Sequence, residues 1–299
     1  MRVEHVSSHP DVHAPWVFLL LLLWLQFFAA CTYAWRFGEY YDYGWYVPPL
    51  FAMFMWRIRG FFTTRHAPAL PKAVAVVGLI GLGGSLFCLR IVERVDPRWT
   101  LPIWIHALLV ISVTLLAAYQ LGGVRALRRT IPILVFACSA IPLPTLIENF
   151  LVSSMTDGVV GSSTALLQFL GLQVQPVGDR LAFMNDTVEV TEGCSGIRSI
   201  QSFLMSSLFF GELMKLRTNQ RITMVGIGIA VAWGLNVVRA SSLAAIRFLR
   251  GQEAFDQAHD NAGLLAFIVG SILLLAFSSW IGRKKQGAVV HRRVKRREV

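Results

Sequence analysis

Charged residues are scarce in this sequence of 299 residues. Asp, Glu, Lys and Arg together form 15% of it, whereas about a quarter is usual for a soluble domain. Hydrophobic residues form 55% and gather in long runs, of which 16–30, 73–89 and 262–280 are examples. A run that approaches ~20 apolar residues is long enough to cross the ~30 Å hydrocarbon core of a bilayer. The composition therefore excludes an ordinary soluble domain and indicates a polytopic membrane protein.

Cysteine is scarce as well. The four residues are Cys31, Cys88, Cys138 and Cys194, and no two of them form a CxxC pair. This excludes a cysteine zinc cluster and a thioredoxin-type motif, and we expect neither a metal nor an organic cofactor. The first three lie in apolar runs, where a cysteine typically acts as a small buried hydrophobic residue. Cys194 lies outside such runs.

The net charge of +11 favours a membrane over a nucleic acid as the partner. No module that combines basic and aromatic residues is visible, so we expect no nucleic-acid binding. Much of the basic excess lies in the C-terminal tail and in short loops between apolar runs. If both termini are cytoplasmic, most of the 28 Lys and Arg residues fall on the cytoplasmic side, as the positive-inside rule requires. The lipid bilayer is thus an expected partner, and the oligomeric state stays open.

The apolar runs predict an all-α polytopic fold with about eight transmembrane helices. Between the fifth and sixth spans, an alternating run over 183–190 predicts a short extracytoplasmic strand or hairpin. We expect one membrane domain over 1–282, with a core motif region over 188–280, and a basic cytoplasmic tail over 283–299. The expected spans are 16–35, 45–58, 73–90, 101–121, 131–150, 196–214, 222–239 and 262–282.

Cys194 stands between two glycines where the predicted strand gives way to the sixth span. A cysteine at a helix N-terminus lies at the positive end of the helix dipole, which lowers its pKa and raises its thiolate fraction. Ser195 is a candidate N-cap. Glu192 opposes this effect on the pKa unless Arg198 or Arg239 neutralises it. The alternatives are a packing turn with an inert cysteine, and a serine protease of the rhomboid kind that uses Ser195.

Arg239 and His259 are expected at the outward ends of the seventh and eighth spans. Arg239 is either a snorkelling anchor or a fixed cation for a developing oxyanion, and Asn236, one turn earlier on the same face, can orient it. His259 is either an interfacial residue without a role or a general acid and base. Because three consecutive helices bring Cys194, Arg239 and His259 to one membrane level, these residues together suffice for acyl transfer through a thioester.

These motifs resemble those of the exosortase/archaeosortase family of polytopic membrane enzymes. The resemblance is carried by 192–199, by 236–239, and by His259 with Gly263, all on successive spans. The segment 43–49 stands where many members carry a His-Gly motif. The resemblance implies a Cys194 nucleophile assisted by Arg239 and His259.

The resemblance also implies a function and a location. Family members are thought to process exported proteins that carry a C-terminal sorting signal, a short motif followed by a transmembrane helix and a basic cluster, as in PEP-CTERM proteins. Many bacterial members are linked to exopolysaccharide production. We therefore expect a multi-pass protein of the bacterial inner membrane with an extracytoplasmic active site. Hydrolysis and transpeptidation both stay open, as does a non-enzymatic role in the transport or assembly of envelope polysaccharide.

Overall fold

The structure is a computed structural model that describes residues 13–62, 71–184, 186–189 and 196–295. Most of these residues are helical, and the strands among them form a three-stranded sheet. The expected all-α polytopic membrane fold with a short strand segment is thereby confirmed. Within the described ranges, six helices are long and apolar enough to cross a membrane. Two compact units can be distinguished, Met1–Gly38 with Asp42–Pro144 and Glu39–Tyr41 with Thr145–Val299.

The described residues of the first unit form four α-helices, α1 (His13–Phe37), α2 (Val47–Arg57), α3 (Lys72–Val95) and α4 (Thr100–Cys138), and two short 3-10 helices. Helix α2, at the expected second span, has 11 residues and cannot cross a bilayer alone. Helix α4 is interrupted at Gly123, whose φ of 61° lies in the left-handed region that glycine tolerates. The helix ends at Cys138, inside the expected fifth span, because Pro142 and Pro144 follow and cannot continue it.

Two helices of the first unit are joined by a buried polar contact between Glu93 and His106. Nδ1 of His106 lies 2.9 Å from one carboxylate oxygen of Glu93, and the other oxygen accepts a hydrogen bond of 2.9 Å from Arg90. The His106 side chain is fully buried, and Phe27 meets it edge-on. His106 is thus a buried structural residue with a partner on α3, which agrees with its position inside an apolar run.

The second unit contains α5 (Thr145–Phe169), the sheet, α6 (Ile197–Leu213), α7 (Thr218–Arg250) and α8 (Gln252–Lys295). Helices α7 and α8 form an antiparallel hairpin, because only Gly251 separates them and Gln220 near the start of α7 donates a hydrogen bond to the carbonyl of Ile281. Phe203 of α6 packs against this hairpin. Helix α6 is therefore held by both of its successors in the chain.

The hairpin is longer than its hydrophobicity predicts. The expected seventh span ends at 239 and the eighth begins at 262, yet both helices continue until they meet at Gly251. The added turns of α7 bury Ala240, Leu243 and Ala244, two of which join the apolar cluster between α5 and the sheet. Burial of one face keeps this segment helical although its average hydrophobicity is low.

The sheet has strand order β1 (Val174–Val177), β2 (Arg180–Phe183) and β3 (Thr187–Glu189), and both pairings are antiparallel. Val174, Leu181, Phe183 and Val188 turn one face of the sheet into the apolar cluster with α5 and α7. The predicted hairpin is present, and it lies directly before the segment that contains Cys194.

Candidate active site

The expected nucleophile segment is bracketed by described residues. Cys194, Glu192 and Ser195 lie outside the described residues, so the site is built from the flanks of this segment and from the helices beside it. The flank on the N-terminal side is Glu189, the last residue of β3, and the flank on the C-terminal side is Gly196, which precedes α6.

Gly196 places the start of α6 against α7. Its φ of 88° is left-handed, and a Cβ built on it would lie 2.6 Å from Nδ2 of Asn236. Any side chain at 196 would therefore be strained by the backbone and would also overlap the Asn236 amide. Gly196 is itself the N-cap residue of α6, so the expected N-cap at Ser195 moves by one position. Gly196, which follows Cys194 by two residues and precedes α6, is therefore in direct contact with Asn236.

Arg239 lies one turn beyond Asn236 and faces α8. A Cβ added to Gly263 of α8 would lie 3.8 Å from Nη1 of Arg239, an ordinary van der Waals distance. Asn236 is 3% exposed and Arg239 is partly buried. Arg239 thus lies within the α7–α8 hairpin and not at the end of a helix, because α7 continues for three more turns.

His259 lies one turn before Gly263 on α8, about 6 Å along the helix axis. The imidazole is partly buried, and its ring centroid lies 5.7 Å from that of Phe255. Phe255 in turn lies under the guanidinium of Arg247, whose Cζ is 5.9 Å from the ring centroid. The expected cation and the expected imidazole therefore occupy neighbouring turns of one helical hairpin.

The same Arg247 joins the sheet to α7. Its Nε lies 2.9 Å from a carboxylate oxygen of Asp186, in the turn between β2 and β3, and Phe183 stacks on Phe248 with ring centroids 4.7 Å apart. The hydrogen bond from Arg247, followed by one from the backbone N–H of Thr187, lowers the pKa of the Asp186 carboxyl. Both flanks of the Cys194 segment are therefore attached to α7, one through the sheet and one through Gly196.

A cleft of about 660 Å³ borders the flank on the N-terminal side. Glu189 lines it, together with Glu39 and a polar face of α5 that extends from Glu148 to Asp157. Nε of Arg198, in the first turn of α6, donates a hydrogen bond of 2.9 Å to the carbonyl oxygen of Glu39. One flank of the Cys194 segment, Glu189, thus lines the cleft, and Arg198, which follows the other flank, is bonded to a residue of its lining.

Of the seven expected site residues, the structure describes four. It places Asn236 and Arg239 on α7 and His259 on α8, the two helices of one hairpin, and it joins Arg198 by a hydrogen bond to Glu39, which lines the cleft. Glu192, Cys194 and Ser195 lie outside the described residues, so their roles stay predictions.

The sequence did not single out Arg247, Asp186 or Gln201. Gln201 is 7% exposed in the second turn of α6, and neither atom of its amide has a hydrogen-bond partner among the described residues. A glutamine inside a helix that is expected to span the membrane is a usable signal, since polar side chains at such positions are costly. Arg247 and Asp186 carry no comparable signal, because their meeting depends on how the sheet folds onto α7.

The arrangement is suited to acyl transfer at a peptide bond. A guanidinium can stabilise a developing oxyanion, and an imidazole one turn away can carry a proton between the leaving and the attacking groups. Within the described ranges, no three His, Cys, Asp or Glu side chains are grouped so that they could hold a metal ion. The described part of the site thus offers a guanidinium and an imidazole, and the expected nucleophile lies outside the described residues.

Comparison with known proteins gives a family match over most of the chain. A family model described as transmembrane exosortase matches residues 35–276, which includes the hairpin, the sheet and the Cys194 segment. No curated protein and no solved structure matches the chain.

Proposed function

Because this chain belongs to the transmembrane exosortases, membrane-embedded sorting transpeptidases that act on exported proteins with sorting signals, we propose that Cys194 is its nucleophile and that Arg239 and His259 complete the active site. The substrate is an exported protein whose C-terminus carries a short motif, a transmembrane helix and a basic cluster. The enzyme cleaves the chain at the motif and either transfers the product to an acceptor or releases it.

In the first half-reaction, the Cys194 thiolate attacks the carbonyl carbon of the scissile peptide bond. The negative charge that develops on the carbonyl oxygen is stabilised by the Arg239 guanidinium. When the tetrahedral intermediate collapses, the C–N bond breaks and the His259 imidazolium donates its proton to the departing amine. The product is a thioester on Cys194 and a free C-terminal fragment.

In the second half-reaction, neutral His259 accepts a proton from the incoming nucleophile. An amine acceptor attacks the thioester carbon and forms a new amide bond, whereas water forms a carboxylate. In both cases the C–S bond breaks and Cys194 returns as the thiolate. The identity of the acceptor thus decides between sorting and proteolysis without a change in the active-site residues.

One observation carries this proposal. The backbone of Gly196, two residues after Cys194, lies against Asn236, and Arg239 and His259 occupy the turns of the same hairpin beside it. In a bundle whose neighbouring helices lie about 8–10 Å apart, side chains from these positions can reach one peptide bond. A transporter or an assembly factor would not require this convergence.

The test is co-expression with an exported protein from the same genome that carries the motif, helix and basic cluster, with a C-terminal epitope to follow cleavage. We expect Cys194→Ala to abolish processing and Arg239→Met to lower its rate by about 10²–10³. We expect His259→Ala to lower the rate by about 10²–10⁴. Cys88→Ala is the matched control, since Cys88 is an exposed cysteine of the first unit, and should process at the normal rate.

A serine mechanism is distinguished in the same assay. If Ser195→Ala abolishes processing and Cys194→Ala does not, the nucleophile is the serine and the cysteine mechanism is wrong. A purified enzyme incubated with substrate and hydroxylamine should yield a hydroxamate at the cleaved carbonyl, since thioesters react with this amine. If no variant alters processing, the chain is not the enzyme, and a role in the transport or assembly of envelope polysaccharide becomes the better account.

We further propose that the protein is a multi-pass component of the bacterial inner membrane, with both termini cytoplasmic and the active site outside. The excess of Lys and Arg in the segments assigned to the cytoplasm supports this orientation. Reporter fusions at the C-terminus and between β1 and β2 test it: an enzyme active only in the periplasm should be active in the second fusion and inactive in the first.

A further inference from the structure

The two edge strands of the small sheet, β1 and β3, differ in whether their outward backbone groups have hydrogen-bond partners. At the edge of β1, the carbonyl of Val174 accepts a hydrogen bond of 2.8 Å from Nε2 of Gln168, and Pro176 has no N–H to offer. At the edge of β3, the described residues supply no further strand. Proline and side-chain cover are the means by which proteins close an edge strand. The edge of β1 is closed in this way, whereas the described residues supply no such cover at the edge of β3.

The pairing register shows which backbone groups of β3 point outward. The N–H of Phe183 donates a hydrogen bond of 2.8 Å to the carbonyl of Asp186, which makes this a hydrogen-bonded pair. Because such pairs alternate along an antiparallel ladder, Val188 bonds to Leu181 of β2, while Thr187 and Glu189 direct their N–H and C=O groups away from it. The Thr187 N–H is already bonded to the Asp186 side chain, at 2.8 Å.

Three outward backbone groups therefore remain at this edge, the C=O of Thr187 and both groups of Glu189. They form the pattern that an added strand pairs with, namely one residue with a donor and an acceptor and a further acceptor two residues away. Glu189 also lines the cleft described above, and only 190–193 separate it from Cys194. A chain that pairs with Glu189 would thus lie at the cleft, beside the described flank of the Cys194 segment.

We propose that the signal motif of the exported substrate binds as an extended strand on the free edge of β3, paired with the backbone of Thr187 and Glu189. This inference rests on the proposed function. It adds the place at which the signal motif of the substrate binds and the conformation in which it binds. The occupant is the substrate and not a second copy of this chain, because the edge leads into the Cys194 segment and because three residues of strand are too few to join two sheets stably. Backbone pairing holds the motif, and the cleft receives its alternate side chains.

The first test removes the outward donor. Glu189→Pro eliminates the N–H without breaking a bond to β2, since that N–H points away from β2. Glu189→Ala keeps the N–H and loses only the carboxylate, which in the native chain lies 3.4 Å from Arg180. We expect the proline variant to have kcat/KM about tenfold below that of the alanine variant, through a higher KM, because one backbone hydrogen bond is lost and the proline ring obstructs the edge.

The rate of Cys194 alkylation by a small maleimide separates this proposal from the proposed function. An unchanged alkylation rate in Glu189→Pro, together with the raised KM, supports strand addition. Equal kcat/KM in the proline and alanine variants would overturn it and leave the cysteine mechanism intact. Processing by Cys194→Ala would instead overturn the mechanism.

A disulfide scan tests the geometry even if the proline disturbs the nucleophile segment. Glu189→Cys is placed in a chain whose four cysteines are replaced by alanine, and single cysteines are moved along the signal motif of the co-expressed substrate. We expect cross-links at every second substrate position, since side chains of a strand alternate between its two faces. Val177→Cys, on an exposed residue of β1, is the control and should give none. Cross-links at every third or fourth position, or none, would overturn strand addition.

Discussion

The Asp186 carboxylate lies 2.9 Å from Nε of Arg247, and this pair joins the turn of the hairpin before Cys194 to the last turns of α7. Through Phe255, the same guanidinium reaches the turn of α8 that carries His259. Arg247 therefore contacts both the sheet that precedes Cys194 and helix α8, which carries His259. The proposed mechanism requires these two elements to keep fixed relative positions.

We predict that Arg247→Met lowers kcat/KM for substrate processing by about tenfold, because the methionine keeps the packing of the side chain on Phe255 but loses both hydrogen bonds to Asp186. Asp186→Asn should have a smaller effect, since an amide still accepts one of these bonds. The exchange of the two residues, Asp186→Arg with Arg247→Asp, should recover part of the loss. If Arg247→Met processes substrate normally, the pair is a surface ion pair without consequence for the site.

The lowered pKa of Asp186 gives a pH dependence with a definite sign. A carboxyl whose pKa is lower in the folded state stabilises the fold at pH values above its ordinary pKa, near 4, and this contribution is lost as the pH falls through the folded value. The melting temperature of Asp186→Asn should therefore be below that of the native protein at about pH 6, and the difference should shrink at about pH 3. A constant difference across this range would show that the charge of Asp186 contributes nothing.

Gly196 offers a sharper test of how the nucleophile segment is held. Gly196→Ala combines a left-handed backbone with a methyl group 2.6 Å from Nδ2 of Asn236, so we expect processing to fall by at least about tenfold while α6 to α8 stay folded. Gly226→Ala is the matched control, because Gly226 lies within α7 with nothing near an added Cβ. That variant should be as active as the native enzyme and slightly more stable. Equal activity of the two variants would contradict the contact between Gly196 and Asn236.

The fold class could be predicted because it depends on local signals, and so could the positions of Asn236, Arg239 and His259 on two consecutive helices. That these three side chains form one site stays a prediction. Apolar runs mark the helices, and an arginine and a histidine beside such runs are conspicuous. The length of the α7–α8 hairpin could not be predicted in this way. Residues 240–250 are helical because Ala240 and Ala244 are buried against α5 and the sheet, which is a tertiary contact.

The attachment of the sheet to α7 could not be predicted from the sequence for the same reason. Asp186 and Arg247 are separated by 61 residues, and either residue alone is an ordinary surface charge. Only the stacking of Phe183 on Phe248 and the register of β2 with β3 bring the two charges together. The closed edge of β1 likewise depends on Gln168, whose amide is placed by the end of α5.

Gly263 allows the position of Arg239 to be tested without changing Arg239 itself. A methyl group at 263 would lie 3.8 Å from Nη1, so Gly263→Ala should retain most of the activity. Gly263→Leu must displace the guanidinium, and we expect a loss of about 10²-fold in kcat with little change in KM, since an oxyanion partner acts mainly in the transition state. Gly234→Leu, on α7 with nothing near its Cβ, controls for bulk in the hairpin. A loss confined to KM would show that Arg239 binds the substrate and does not stabilise the oxyanion.

Glu93 and His106 form a buried pair in the first unit. Replacing one or the other should lower the free energy of unfolding by different amounts. Glu93→Leu leaves the His106 imidazole fully buried with neither nitrogen bonded among the described residues, since Nε2 already has no partner there. We expect this variant to lose about 2 kcal/mol of unfolding free energy, the cost of a buried polar group left without a hydrogen bond. His106→Leu leaves Glu93 paired with Arg90 and should lose less. The double variant Glu93→Leu with His106→Leu removes both buried polar groups and should be more stable than Glu93→Leu alone.

Denaturant unfolding in detergent, followed by tryptophan fluorescence, measures the stability of all three variants. If the double variant loses the sum of the two single losses, the residues do not interact, and the 2.9 Å contact between them has no energetic consequence.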